Sequence, residues 1–162
     1  MSPMDSPLAA CLALLAGWAM IGAAGLLRPS SVALVGRLLF PLGALTGVAL
    51  AFVAAWQFDS PAERMQLMLG LPDLPMHVRL DPLSRVFLIL LGSCSAGVSL
   101  FAAGYFRKGE GTAPGLMGLQ YHLFLASMGF VLLADDAYAF MVAWETMALA
   151  SYFLVTAQHG IP

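Results

Sequence analysis

Five apolar runs, each about 20 residues long, dominate this sequence and leave it few ways to fold. A helix of that length rises about 30 Å, the thickness of bilayer hydrocarbon. The runs extend from about Leu8 to Leu27, Leu34 to Trp56, Leu83 to Phe106, Leu116 to Ala134 and Ala137 to Ala157. A helix satisfies its own backbone, which lipid cannot do. The fold class is therefore all-α: a polytopic membrane helix bundle with about five transmembrane helices in a single transmembrane domain. Charge content agrees, since 10% of residues are charged where a soluble domain carries about 25%.

The same sparseness of charge excludes several functions. The net charge is -2 and no basic cluster tracks phosphates, so no nucleic-acid partner is expected. Cys11 and Cys94 lie in apolar runs without metal or redox spacing, and both read as buried inert thiols. There is no GxGxxG, P-loop, nucleophile elbow or metal cluster. Leu8-Ala9-Ala10-Cys11 has the look of a lipoprotein cleavage box. A signal peptide needs a basic start and an apolar segment before the cleavage site, and here the apolar run follows the cysteine.

Between the runs, turn and cap signals set the boundaries. Arg28-Pro29 closes the first helix, and the second carries Arg37, Pro41 and a Gly43/Gly47 pair that permits close packing. The 57–82 segment is the long polar loop. Gly70 to Asp73 reads as a turn and Met76 to Leu80 alternates like a short strand or hairpin arm. His77 reads there as a solvated loop residue. Asp81-Pro82 opens the third helix, with Asp as cap and Pro at the first helical position. Ser93, Ser95, Gly97 and Ser99 suit it to packing in a bundle. One of Asp135 and Asp136 is expected to cap the fifth helix, and so short a turn makes helices four and five antiparallel neighbours. Arg28 and Arg37, with Arg107 and Lys108, lie on one side. By the positive-inside rule the amino terminus is outside and the carboxyl terminus inside.

The fifth helix holds the residue of greatest interest. Glu145 falls about 3 Å from the middle of the span, where an acid costs about 2.5–3.5 kcal/mol. Tyr138 and Tyr152 stand seven residues to either side, close to one helical stripe, with Thr156 nearby. A carboxyl between hydroxyls suits a proton relay, or an acid held neutral by hydrogen bonds. No lysine or arginine lies deep in a span, so a basic partner for Glu145 is expected from another chain or from sequence beyond Pro162. His122 and His159, near the same ends of their helices, could in principle meet as a haem pair; interface histidines are the favoured reading.

Several stretches resemble a known family: Asp81-Pro82-Leu83-Ser84, Ala103-Gly104-Tyr105-Phe106, Phe124 to Met128, Leu133 to Asp136, and above all Ala143-Trp144-Glu145-Thr146-Met147 with Ser151-Tyr152-Phe153-Leu154. Together they resemble the amino-terminal part of the antiporter-like subunits of respiratory complex I and of hydrogenase-4 or formate hydrogenlyase type complexes, with multisubunit cation/proton antiporters as relatives. The resemblance covers about Leu80 to Leu154 well. It implies a subunit of about fourteen helices in which a fifth-helix glutamate, here Glu145, pairs with a lysine on a later broken helix. This chain would then be partial. The function implied is a proton-translocating, antiporter-like, non-redox membrane subunit of an oxidoreductase complex. It would couple redox energy to H⁺ or Na⁺ movement through a buried glutamate, with Tyr138 and Tyr152 beside it. The alternative is a scaffold subunit without an ion path. No cofactor or metal is expected in the chain. Its partners would be other membrane subunits, peripheral iron–sulfur subunits and the lipid of a bacterial inner membrane.

Overall fold

The computed structural model describes residues 6–56, 58, 60–71, 73–105 and 112–157. Arg107, Lys108 and His159, which enter the orientation and haem expectations, lie outside them. Among the described residues five helices are long and apolar enough to cross a membrane, as the apolar runs predict.

Helix α1 spans Pro7–Ala24 and continues as a 3-10 turn over Gly25–Leu27. Ser6 caps it, its Oγ accepting the Ala9 N–H at 3.1 Å, and Pro7 takes the position where a missing N–H costs nothing. Helix α2 covers Val32–Trp56, with a wide π turn at Val35–Leu39 after its α-helical start at Val32–Leu34. That widening sits directly before Pro41, whose ring would clash with the carbonyl of an ordinary α turn. Helix α3 spans Pro82–Tyr105, with Asp81 Oδ1 accepting the Ser84 N–H at 2.8 Å. Helices α4, Pro114–Leu133, and α5, Ala137–Thr156, are joined by Ala134 to Asp136, and Asp136 caps α5.

The 57–82 segment holds more order than a loop. Strand β1, Glu63–Leu71, pairs antiparallel with β2, Leu74–Leu80. Gly70 takes φ 118° at the irregular step next to the turn, a conformation that a Cβ disfavours. Val78 also bridges to Ala134, so the hairpin lies across the α4–α5 turn.

The helices pack as a curved row in the order α3, α2, α1, α4, α5, with a lighter contact between α3 and α4. Lipid supplies no hydrophobic drive between helices, so close packing must hold them. Trp18, Leu15, Leu50, Leu88 and Leu125 fill the centre, and the Trp18 indole donates to the Gly43 carbonyl at 3.0 Å. Helices α2 and α3 cross closely where Gly47 faces Gly92. A Cβ on Gly92 would meet the Gly47 carbonyl oxygen at 2.5 Å and the Ala51 nitrogen at 2.8 Å. Both obstacles are backbone and cannot swing aside. Gly92→Val should therefore destabilise the bundle by about 1–3 kcal/mol. Gly97→Ala on the same helix, where nothing lies within 4 Å, should be neutral or slightly stabilising. Thermal unfolding of both variants in one detergent checks the contrast.

Candidate functional site

Helix α5 turns small side chains inward. Ala139, Ala143 and Ala150 are buried, and α4 is the helix packed against them. Glu145 lies on the opposite side of the helix and is exposed. Among the described residues it makes no hydrogen bond or ion pair. The expected burial of this carboxyl is thus not provided by the five helices themselves. The expected stripe also divides. Tyr138 is half-buried under the hairpin, its ring edge 3.1 Å from where a Cβ on Gly70 would sit. Tyr152 is 62% exposed and stands edge-on to Phe153. Neither hydroxyl hydrogen-bonds to Glu145. The Thr156 hydroxyl donates to the Tyr152 carbonyl of its own helix.

The face around Glu145 is apolar and aromatic. Met141, Trp144, Leu149 and Val155 are exposed, and Phe140 stacks on Trp144 at 5.6 Å. Only 17% of the α5 span is buried, against 28–39% in the other four. Of the five helices, α5 therefore presents the barest flank, and the acid lies on it.

At the hairpin end the fold concentrates its charge. Asp136 Oδ1 accepts the Ala139 N–H at 2.7 Å, while Oδ2 accepts the His77 N–H and lies 3.3 Å from the His77 Nδ1. The Asp135 N–H donates to the His77 carbonyl at 2.9 Å. Arg64 and Arg79 approach the Asp135 carboxylate at 3.5 and 3.3 Å, and Arg79 also reaches Asp81 at 3.1 Å. His77, read as a solvated loop residue, is instead half-exposed on β2 and tied to the cap of α5. The Ala139 N–H, then the burial-opposed bonds from His77, hold the Asp136 carboxyl below its ordinary range. The Ser84 N–H does the same for Asp81. Both caps stabilise the ionised acid. Their contribution is present at neutral pH and fades as pH falls through their lowered values.

Two buried polar groups were missed in the sequence. Arg85, in the first turn of α3, is wholly buried. Its nearest acid is Glu63 on β1, with Nη2 to Oε1 3.6 Å, and none of its three nitrogens has a hydrogen-bond partner among the described residues. Glu63 Oε2 accepts the Leu8 N–H at 3.2 Å, so this carboxylate links α1, α3 and the hairpin. The spacing held the clue: Arg85, Leu88, Gly92, Ser95 and Ser99 recur at helical intervals and all face inward. His122, expected near a membrane interface, is fully buried close to the middle of α4. Its Nδ1 pairs with the Gly118 carbonyl at 2.7 Å and its Nε2 abuts Gly43. Both ring nitrogens are thus occupied or blocked, which is no geometry for an axial haem ligand. Tyr121 beside it shares a hydrogen bond with Ser99 at 3.0 Å. The thiols differ too: Cys11 is buried as expected, whereas Cys94 is exposed. Among the described residues no three His, Cys, Asp or Glu side chains converge on a metal-sized site.

No known family profile matches the chain. Individual proteins do. Hydrogenase-4 component B of Escherichia coli K12 is 35% identical over 83 residues, 51% of this chain and 12% of that protein. NADH-quinone oxidoreductase subunit L of Mycobacterium tuberculosis is 30% identical over 95 residues, 59% of this chain and 14% of that one. The putative antiporter subunit mnhA2 of Staphylococcus aureus is 29% identical over 84 residues, 52% of this chain and 10% of its own length. The chain is similar to antiporter-like membrane subunits. The matched stretch spans only about an eighth of the length of these curated relatives. With five spanning helices, the chain is a multi-pass membrane protein.

Proposed function

We propose that this chain is part of a proton-translocating, antiporter-like subunit of a hydrogenase-4 or NADH-quinone oxidoreductase type complex. In this reading Glu145 is the carboxyl through which redox energy is coupled to H⁺ or Na⁺ movement. The observation that carries it is an unpaired acid near the middle of the barest spanning helix. In lipid such a group is costly and tends to face a partner or a water-filled path. The counter-charge comes from a neighbouring membrane segment docked on the Met141–Trp144–Leu149 face. Tyr138 and Tyr152 flank the acid along α5, one about two turns before it and one about two turns after. The electron-carrying iron–sulfur subunits are peripheral, and the complex sits in a bacterial inner membrane with the hairpin outside.

A second reading has its own support. Among the described residues Glu145 makes no hydrogen bond to either tyrosine, as expected if α5 serves only to anchor another subunit. Glu145→Gln in the assembled complex separates the two. Ion pumping per turnover falls with assembly intact if Glu145 carries the function. Yield alone changes if α5 is a scaffold.

A further inference from the structure

The contacts at the hairpin end have a consequence for the helix that bears Glu145. His77 on strand β2 holds the cap of α5 through three contacts. Its N–H donates to Asp136 Oδ2, its carbonyl accepts the Asp135 N–H, and its ring nitrogen lies 3.3 Å from the same Oδ2. The carboxylate that closes α5 is therefore shared between the helix and the hairpin, with its other oxygen on the Ala139 N–H. Histidine is the side chain that changes charge between about pH 5 and 8.

We propose that His77 makes the hairpin's grip on α5 sensitive to pH. Protonation converts the ring contact with Asp136 into a charge-assisted one and tightens the cap of the Glu145 helix. The surrounding charges favour a response at this one site. Arg64 on β1 and Arg79 on β2 are engaged with Asp135, and Arg79 also with Asp81. Gln66, opposite His77 across the hairpin, carries no charge. Asp136 is thus the acid that faces the ring. The grip is firmest where the imidazole is charged and Asp136 is still ionised. It weakens with a neutral imidazole, and again as pH falls through the lowered range of Asp136. Its bearing on ion movement rests on the reading of Glu145 above: acidification on the hairpin side would stiffen the cap of the helix carrying the acid.

The test is amide hydrogen exchange on the chain in its native membrane complex, at pH 5.5 and 7.5, corrected for the intrinsic pH dependence of exchange. In the wild type the Ala139 and Phe140 amides should be about two- to five-fold better protected at the lower pH, the scale of an exposed ion pair. His77→Gln should remove that difference while protection along the middle of α5 stays unchanged. A pH difference that persists in His77→Gln, or none in the wild type, overturns the proposal. Glu145→Gln should leave the difference intact. Backbone exchange is read here and not pumping, so the clamp can fail while the role of Glu145 stands, and the reverse.

Discussion

Glu63→Gln is expected to destabilise the bundle severely, by about 3 kcal/mol or more, whereas Arg85→Met should cost little or even stabilise it. The asymmetry follows from burial. Arg85 is wholly enclosed and its nearest neutralising charge is Glu63. Removing the acid strands a guanidinium in an apolar surround. Removing the arginine leaves a carboxylate that is one-quarter exposed and still accepts the Leu8 N–H. Methionine fills much of the volume that the arginine stem occupied. Glutamine keeps an acceptor for Leu8, so any loss in Glu63→Gln reports charge and not the lost backbone bond. The double variant should recover most of the single-variant loss. Unfolding by graded SDS in mixed micelles measures all four forms of the cycle. Equal losses in the two single variants would mean that the pair is not the source of the cost.

Glu145→Gln is expected to have the largest functional effect. The change preserves shape and removes the acid. A positioned acid–base group contributes about 10²–10⁴-fold to the rate of a proton transfer, so pumping through this subunit should fall to background. Assembly should survive, because Glu145 holds no described contact that folding depends on. Electron transfer in the complex would continue, uncoupled from this path. Pumping per turnover in reconstituted vesicles, normalised to assembled complex, reads the effect.

Much of this architecture is legible in the residues. The apolar runs give the five helices because helix length and bilayer thickness are fixed by the same geometry. Asp81-Pro82 and Asp136 cap their helices because the local chemistry of a cap depends on a few adjacent residues. Strand β1 is harder to read. Glu63–Leu71 has no β-branched residue, and its order comes from pairing with β2 across the turn. The burial of Arg85 and His122 likewise depends on which helices meet. Each is enclosed by partners distant in sequence: Glu63 for one, Gly43 for the other. The outward face of α5 was partly legible. Ala139, Ala143 and Ala150 mark a small-residue contact face, and Glu145 lies away from it. Charge placement alone suggested a buried acid, and helix geometry places it on the open flank.

In the assembled complex this open flank should be covered by protein, with Glu145 at the covered surface. A nitroxide attached through Glu145→Cys, in a background with Cys11 and Cys94 replaced, tests it by collision with oxygen, which concentrates in lipid, and with a water-soluble nickel chelate. Low accessibility to both in the assembled complex is the result expected. High oxygen accessibility there, typical of a lipid-facing site, would contradict the account.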